Sequence, residues 1–267
     1  MTTVKDVYEY LKIIAPEEMA YEADNVGFLV GSSNAAVSKI LVCLDITSVV
    51  ITEALDSGVE LIVSHHPLFT ALKNVTDSDI TGKKVVRLLS GGISAICMHT
   101  NLDAVRGGVN DALAAVVGIA DDSREAELLS LKNKLASGEN ISLGRVGYLK
   151  EPCSMTKYLG RLKEALKANG LRYHDAGIDV HKIAISSGGG SGEWDNAVAS
   201  GCDTFITADI KYKLFLAAKE LGINLIDGGH FCTENPVSEV LFQKLSNAFP
   251  ETEVFISKTL DQTISFF

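Results

Sequence analysis

The sequence predicts an α/β protein made of two similar domains, each with a mainly parallel sheet. Apolar runs of strand length alternate with helical patterns, which is typical of βαβ units. The same alternation occurs in both halves of the chain. Histidines and carboxylates gather directly after the predicted strands, where open α/β sheets bind their ligands.

Each half contains three predicted strands and three predicted helices. In the first half they are "KILVCL" (39–44), a helix over 47–57, "ELIVS" (60–64), a helix near 82–90, "ISAICM" (93–98) and a helix over 108–117. In the second half they are "KIAISS" (182–187), a helix over 193–200, "DTFIT" (203–207), a helix over 211–220, "INLID" (223–227) and a helix over 236–247.

Between the two halves, residues 120–145 are polar and irregular, which predicts a crossover segment. We therefore expect a first domain over residues 1–125 and a second over 126–267. A C-terminal segment of the second domain can pack back on the first.

The two halves also resemble each other residue by residue. Aligning Lys39 with Lys182 without a gap gives six identities, which end at Ser57-Gly58 and Ser200-Gly201. Any two βαβ units share an apolar pattern and a glycine after the helix, so coincidence is one interpretation and internal duplication is the other. Duplication predicts two halves related by a pseudo-twofold axis, with equivalent strand ends converging on one cleft.

Composition limits the class of protein. The chain has 267 residues and is 46% hydrophobic, which is enough to fill a large core. A net charge of −10 repels a phosphate backbone and argues against nucleic acid as a partner. The five cysteines form no C-x-x-C pair, which favours reduced thiols. The amphipathic N-terminus lacks a signal-peptide pattern and no apolar run has membrane-spanning length, so we expect a cytoplasmic protein without a membrane partner.

Polar segments follow four of the predicted strands, and four of the six histidines lie in them. A lone histidine is usually an ordinary hydrogen-bonded side chain, but this grouping predicts a ligand site. The segments are "HHP" (65–67), "HTNLD" (99–103), "TADIKY" (207–212) and "GGHFCTE" (228–234).

Side chains of this kind are suited to a pair of divalent metal ions. Two such ions need imidazoles on their outer flanks and bridging carboxylates between them. His65 and His66 are adjacent, and the following Pro67 favours extended backbone, so we expect their side chains to diverge and to serve two ions. Asp103 and Glu234 offer the carboxylates. Ligands of this mixed type suit Zn, Fe, Mn or Co.

The segment around His230 offers one more imidazole. Pro236 fits the first turn of a helix, which predicts that His230 lies in the preceding loop and Glu234 at the helix N-terminus. Cys232 lies between these two residues and is expected to be a packing residue, since no second cysteine is spaced to join it. His99 is open to three roles: metal ligand, partner holding Asp103, or acid/base group, and we favour the last two.

A glycine-rich stretch, "SSGGGSGEW" (186–194), follows a predicted strand and opens a helix. It lacks the ending of a phosphate-binding P-loop, so a tight turn is the more common interpretation, and a site for an anionic substrate group is the alternative. Asp45, at the corresponding strand end of the first half, faces the same cleft or caps the next helix. Capping is better assigned to Thr47.

Together, "SHHPLF", "HTNLD", "TADIKY" and "GGHFCTE" resemble the Nif-three-like dinuclear-metal proteins, often labelled GTP cyclohydrolase I type 2 homologues. The segment "EADNVGFLVGS" (22–32) is similar to that family's N-terminal segment, with alanine where tryptophan is common. The resemblance covers nearly the whole chain. The inserted domain of longer family members is absent here, because too few residues separate the halves.

The resemblance implies two α/β domains, a site for two divalent ions in the cleft between them, and a toroidal homohexamer. By motif, the implied ligands are His65, His66, Asp103, His230 and Glu234, with Glu234 as a bridge. These are also the residues selected above from the strand ends.

Two functions follow as hypotheses. The first is a metal-dependent hydrolase, GTP cyclohydrolase-like, in which a metal-bound hydroxide attacks a purine ring, amide or phosphoester and His99 carries protons. The second is a protein that stores, delivers or senses metal, or docks a partner, without turnover. Both need the same ligands, so the motifs alone do not separate them.

Overall fold

The computed structural model describes residues 1–119, 124–134 and 140–267, with ten α-helices and eleven strands among them. The helices are α1 (Val4–Ile14), α2 (Ser48–Asp56), α3 (Ile80–Ser90), α4 (Thr100–Ala104), α5 (Val109–Val117), α6 (Met155–Ala165), α7 (Trp194–Ala199), α8 (Tyr212–Leu221), α9 (His230–Glu234) and α10 (Pro236–Ala248). The strands are β1 (Gly27–Val30), β2 (Lys39–Cys43), β3 (Leu61–Ser64), β4 (Ser94–Cys97), β5 (Arg124–Lys134), β6 (Asn140–Cys153), β7 (Arg172–His174), β8 (Val180–Ile185), β9 (Thr204–Thr207), β10 (Asn224–Asp227) and β11 (Glu253–Ile256).

The chain divides into two compact units. The first unit contains Met1–Val105 and Val237–Asp261, and the second contains Arg106–Pro236 and Gln262–Phe267. The sequence places the division after residue 125, with a C-terminal segment of the second domain that can pack back on the first. The C-terminal segment belongs to the first unit because β11 pairs with β2 and extends the first sheet.

The first unit is a five-stranded sheet in the order β1-β4-β3-β2-β11. Strands β4, β3, β2 and β11 run parallel, and β1 is an antiparallel edge. The strands β2, β3 and β4 confirm the three predicted from the sequence. Their residues are almost all buried, as expected for parallel strands covered on both faces. Helices α2 and α3 pack on one face through Val50, Ile51 and Leu88.

The second unit is a six-stranded sheet in the order β5-β6-β8-β9-β10-β7. Its parallel centre, β8-β9-β10, again confirms the predicted strands. Alternate residues of these strands enter two separate cores, as the period of two requires: Ile183 and Ile206 lie in one, Ala184 and Phe205 in the other. Helices α5 and α6 contribute to the first core and α7 and α8 to the second, so helices cover both faces of the sheet.

The internal similarity extends to the backbone contacts. Each first βαβ turn ends with a glycine at positive φ, Gly58 (φ 66°) and Gly201 (φ 69°). The next residues join the preceding strand in the same way, since the Glu60 N–H donates to the Lys39 carbonyl and the Asp203 N–H to the Lys182 carbonyl. The gap-free alignment of Lys39 with Lys182 therefore matches residues with equivalent structural positions, which supports duplication over coincidence.

The prediction of an irregular crossover over residues 120–145 is wrong for the part that the structure describes. Strands β5 and β6 pair antiparallel there, whereas residues 120–123 and 135–139 lie outside the described residues. The polar residue Arg145 interrupts the apolar pattern of the strand β6 in the sequence. It is fully buried, and its Nε and one terminal nitrogen donate to the two Asp111 carboxylate oxygens at 2.9 and 3.0 Å. A buried, paired arginine thus occupies a core position that the sequence marks as polar.

Three of the four edge strands in the described residues, β1, β7 and β11, were also not predicted. They are only three or four residues long and mostly half-exposed, so they lack a long apolar run. None of the described helices combines the length and apolarity needed to cross a bilayer.

Candidate metal centre

In the first unit, the strand β3 delivers two imidazoles to the carboxyl end of the sheet. The backbone N–H groups of His65 and His66 still donate to carbonyls of the β2 strand end, at 3.2 and 2.8 Å. The Ser64 hydroxyl donates to the His66 carbonyl at 2.8 Å and so holds a bend. The two ring centroids lie 4.9 Å apart, so the expected divergence of the two side chains is wrong. The expectation assumed extended backbone, but the chain leaves the strand at Ser64.

Both rings are fixed through their Nδ1 atoms. His65 is fully buried, and its Nδ1 lies 2.8 Å from the Met98 carbonyl, an acceptor. Nδ1 of His66 lies 2.7 Å from a carboxylate oxygen of Asp45. Nδ1 must therefore carry the proton in both neutral rings, which leaves a lone pair on Nε2. Thr47, not Asp45, caps α2, as predicted, because its hydroxyl accepts from Val50 N–H at 3.2 Å.

His99 follows β4 and is fixed in the same manner. Its Nδ1 lies 2.8 Å from Oδ2 of Asp24, whose side chain is 7% exposed. Asp24 also accepts the Thr100 backbone N–H at 3.2 Å and the Thr100 hydroxyl. Burial raises the pKa of the Asp24 carboxyl, but the hydrogen bonds from His99 and Thr100 outweigh this and lower the pKa to about 2. Asp24 is thus a fixed anion that sets the tautomer of His99.

These three histidines form a cluster of candidate ligands. One ring nitrogen from each of His65, His66 and His99 lies within 4.8 Å of the other two. Oδ1 of Asp103, on the short helix α4, is 3.7 Å from Nε2 of His65, which is beyond hydrogen-bonding distance. Each ring is held by a hydrogen bond from Nδ1 to a protein oxygen, which leaves Nε2 as the possible metal ligand. Such imidazoles, with a carboxylate beside them, suit a divalent metal ion. His99 contacts Asp24 through its ring, and its backbone carbonyl accepts from the Asp103 N–H.

In the second unit, the candidate ligands lie on one turn of helix. Residues His230–Glu234 form the helix α9, separate from α10, so the prediction that His230 lies in a loop and that Glu234 begins the next helix is wrong. The spacing of four residues puts both side chains on one face, and Nε2 of His230 lies 3.0 Å from Oε2 of Glu234. Pro236 does begin α10, as predicted, but it does not prevent the separate helical turn that ends at Glu234.

A carboxylate also holds the other nitrogen of this imidazole. Nδ1 of His230 lies 2.7 Å from Oδ2 of Asp209, which follows the strand β9. Asp209 has φ 53°, one of the few positive values at a non-glycine residue, and aspartate tolerates this conformation better than most residues. The hydrogen bond to Glu234 raises the pKa of His230 to about 9 against the opposing effect of burial, and Asp209 adds to the increase. Without a metal, the two residues form an ion pair.

The glycine-rich loop packs directly against these ligands. A Cβ at Gly188 would lie 1.8 Å from Oε1 of Glu234 and 3.1 Å from Nε2 of His230. Gly188 has φ 55°, and its N–H donates to the Thr233 hydroxyl at 3.0 Å. The loop is therefore a close wall of the candidate ligand pair as well as the turn that joins β8 to the helix α7.

Each unit thus brings its own predicted ligands together. Two supporting residues, Asp24 and Asp209, were not singled out from the sequence, and Gly188 was quoted there only as part of the glycine-rich stretch. Asp24 lies in the "EADN" segment and Asp209 in "TADIKY", so both occur in motifs quoted above. The signal that could have found them is a general one, because a ligating histidine usually donates its second N–H to a carboxylate or carbonyl. All five cysteines are free and buried, in agreement with the expectation of reduced thiols.

The fold and these side chains define the class: an α/β protein of two sheet-containing units, with sets of imidazole and carboxylate groups that could bind a divalent metal at the strand ends. The chain belongs to the Duf34/NIF3 (NGG1p interacting factor 3) family, whose model matches residues 2–262. A Clostridium acetobutylicum protein named GTP cyclohydrolase 1 type 2 homolog is 34% identical over 92% of this chain and 90% of its own length. Its namesake in Clostridium perfringens is 32% identical over 98% and 99%.

Solved structures show the same fold. A Staphylococcus aureus protein superposes with a TM-score of 0.86 and 26% identity, covering 100% of this chain and 99% of that one. A Bacillus cereus protein related to NIF3 superposes with a TM-score of 0.88 at 21% identity, over 100% of this chain and 99% of that one, and supports the fold alone. The two-unit α/β fold and the family predicted from the sequence are therefore confirmed.

Proposed function

We propose that this protein is a metal-dependent hydrolase that binds two divalent ions through His65, His66, Asp103, His230 and Glu234. The observation that carries the proposal is the common orientation of the histidines in both units. Each of His65, His66, His99 and His230 has an oxygen acceptor at 2.7–2.9 Å from Nδ1, so Nε2 is the nitrogen through which each ring would bind a metal ion. At His230 the ion would replace the proton that pairs Nε2 with Glu234.

Zn, Fe, Mn or Co would suit this set, since imidazole nitrogen and carboxylate oxygen accept all of them. A bound ion of this kind supplies a nucleophile near neutral pH by lowering the pKa of water, and polarises a substrate oxygen. The relatives named GTP cyclohydrolase 1 type 2 homolog direct the substrate proposal to a purine nucleotide, with amides and phosphoesters as further candidates.

His99 is the proposed proton carrier. Its Nδ1 is held by the buried Asp24 carboxylate, so its Nε2 is ready to accept a proton, and the carboxylate stabilises the imidazolium that forms. The contact between His99 and Asp24 favours this acid/base role over the alternative that His99 holds Asp103.

The test is metal analysis combined with turnover. Wild type, His65→Ala and Glu234→Ala are loaded with Mn²⁺ or Zn²⁺, dialysed and analysed for metal content, and then assayed with GTP, a phosphodiester and an amide. We expect about two ions per chain in the wild type, and loss of both metal and hydrolysis in the two variants. His174→Ala is the matched control, because this half-exposed histidine lies in the edge strand β7.

Undiminished metal in both variants would refute the ligand assignment. Two ions without hydrolysis of any substrate would refute the enzyme and favour the alternative, a protein that stores, delivers or senses metal. A His99→Gln variant that keeps its metal but loses most of its hydrolytic rate would support the proton-carrier role. The hexameric assembly that the resemblance implies and the cytoplasmic location expected from the sequence pattern stay predictions.

A further inference from the structure

The second unit contains a small cavity that opens on the candidate ligand His230. Its volume is about 210 Å³, and its walls include Gly170, Arg172, Asp209, His230, Ile264 and Phe266. Cavities that enclose a drug-sized molecule usually have about 300–1,000 Å³, so this one has room for a single ring system and not for a whole nucleotide. The presence of His230 and Asp209 in its wall places any occupant beside the proposed metal ligands.

One wall is an aromatic ring seated on a glycine. A Cβ at Gly170 would lie 2.5–2.7 Å from three atoms of the Phe266 ring, so the ring needs glycine at this position. The segment carrying Phe266 is further held by the Asn169 side chain, which donates to the Ile264 carbonyl. Phe266 remains 50% exposed, although it lies against the protein. A held but half-exposed aromatic ring on a cavity wall is a surface on which a flat ligand can stack.

The other wall offers a fixed guanidinium. Arg172 donates through one terminal nitrogen to the buried Asp227 carboxylate and, at 3.0 Å, to the Ile210 carbonyl. It also lies over the Phe215 ring, with its carbon 5.7 Å from the ring centroid. More than half of its side chain is still exposed. A guanidinium held in this way is a preorganised donor to a ligand oxygen.

The charges of the cavity favour a neutral occupant. The positive charge of Arg172 is matched by Asp227, and Asp209 is hydrogen-bonded to His230. The wall therefore has no surplus positive charge to attract a phosphate. A stacking ring, a single directed donor and little net charge together suit an uncharged heteroaromatic ring that carries an oxygen.

We propose that this cavity binds the oxygen-bearing base of a purine nucleotide, with Phe266 stacked on the ring and Arg172 donating to the ring oxygen. The proposal rests on the proposed function, and it assigns to that function the residues that recognise the base. The ribose and phosphates then lie outside the cavity.

The test measures nucleoside binding separately from metal binding. Equilibrium dialysis of the whole protein uses guanosine, adenosine, which lacks the ring oxygen, and ribose 5-phosphate, each with Mn²⁺ and with EDTA. We expect guanosine to bind more tightly than adenosine, and ribose 5-phosphate to bind weakly. Phe266→Ala should weaken both nucleosides about tenfold, in line with the usual contribution of a stacked aromatic ring.

Arg172→Lys keeps the positive charge beside Asp227, so it should fold, and should weaken guanosine several-fold with little change for adenosine. Gly170→Ala tests the contact between Gly170 and Phe266, because the added methyl group displaces the Phe266 ring without removing it. It should weaken nucleoside binding to a similar extent as Phe266→Ala. Phe267→Ala is the control, because this neighbouring ring is fully exposed and is not part of the cavity wall.

The outcomes separate this proposal from the hydrolase. Guanosine binding that is unchanged in Phe266→Ala and Arg172→Lys would overturn the base site, even if metal and turnover are normal. Phe266-dependent guanosine binding in a protein that takes up metal but hydrolyses nothing would support the base site and refute the hydrolase. Equal binding of guanosine and adenosine in wild type would overturn the role of Arg172.

Discussion

The carboxyl ends of the strands have a similar backbone arrangement in the two sheets, but they carry different side chains. In the first unit, imidazoles follow the strands β3 and β4, giving three histidines within 4.8 Å. In the second unit, the residue aligned with His66 is Asp209, and the one histidine of the pair His230–Glu234 lies in the helix after β10. One backbone plan therefore supplies a nitrogen-rich set in one unit and a carboxylate-rich set in the other. The fold determines the positions at which metal ligands can lie, and the residue at each position determines whether the ligand is an imidazole or a carboxylate.

The units also differ in how deeply the supporting carboxylates are buried. The side chain of Asp24, which holds His99, is 7% exposed, whereas that of Asp209, which holds His230, is 57% exposed. A buried carboxylate accepts several hydrogen bonds and stabilises the fold as well as the ring that it holds. An exposed one orients the ring at little benefit to stability.

The largest effect should come from filling the space beside Glu234. Gly188→Ala would place a methyl group 1.8 Å from Oε1 of Glu234, so the carboxylate or the loop must move. We expect the affinity for metal to fall roughly 100-fold, because loss of a correctly placed ligand costs at least as much as loss of a supporting residue. Isothermal titration with Zn²⁺ or Mn²⁺ measures this.

Gly201→Ala is the matched control for this change. Gly201 has φ 69°, close to the 55° of Gly188, but a Cβ there would meet nothing within 4 Å. Both variants should lose roughly 1–2 kcal/mol of stability from alanine at positive φ, and only Gly188→Ala should lose metal affinity. Equal metal affinity in the two variants would show that the contact with Glu234 is unimportant.

A smaller effect should distinguish the two supporting carboxylates. The pKa of Asp24 in the folded protein is about 2, below its ordinary value, so ionised Asp24 stabilises the fold above about pH 4. This contribution, roughly 2 kcal/mol, is lost as the pH falls from about 4 through 2. Asp24→Asn should therefore be less stable than wild type at neutral pH, and the difference should shrink towards pH 2. Urea unfolding at a series of pH values measures it.

The comparison variant is Asp209→Asn, which removes the exposed carboxylate that holds a histidine. It should change the free energy of unfolding at pH 7 by less than about 0.5 kcal/mol. A loss as large as that of Asp24→Asn would contradict the assignment of the stabilising role to burial.

Much of the fold was predictable because its central strands are continuous apolar runs. β2, β3, β4, β8, β9 and β10 were all predicted, and each is followed by a helix. The strand β6 was missed because buried Arg145 interrupts the pattern, and only the distant partner Asp111 explains its burial. Such a pairing depends on the tertiary fold and cannot be seen in local periodicity.

For the candidate site, the sequence predicted which residues are ligands and which strand each one follows. The position of His65 and His66 after an apolar run was sufficient to nominate them. Their relative direction was not, because the bend at Ser64 comes from a side-chain hydrogen bond to the His66 carbonyl. The helical turn of His230–Glu234 was missed for a related reason. Proline marks where the long helix begins, but it does not forbid a separate short helix before it.

The smallest effect tests the shared backbone plan itself. Glu60 accepts the N–H groups of Ser38 and Lys39 at 3.1 and 2.8 Å, and Asp203 accepts those of His181 and Lys182 at 3.1 and 2.6 Å. The two carboxylates are aligned in the duplication, and each ties the start of one strand to the start of the next. Glu60→Gln and Asp203→Asn should each cost about 1 kcal/mol, since a neutral amide accepts these bonds more weakly than a carboxylate.

Urea unfolding measures both variants beside Glu251→Gln, an exposed glutamate that should have no effect. Equal losses of stability would show that both units kept the same stabilising carboxylate interaction after duplication, while the candidate metal ligands diverged. A loss confined to one variant would mean that the repeat preserves geometry alone, and that each unit has come to depend on different contacts for its stability.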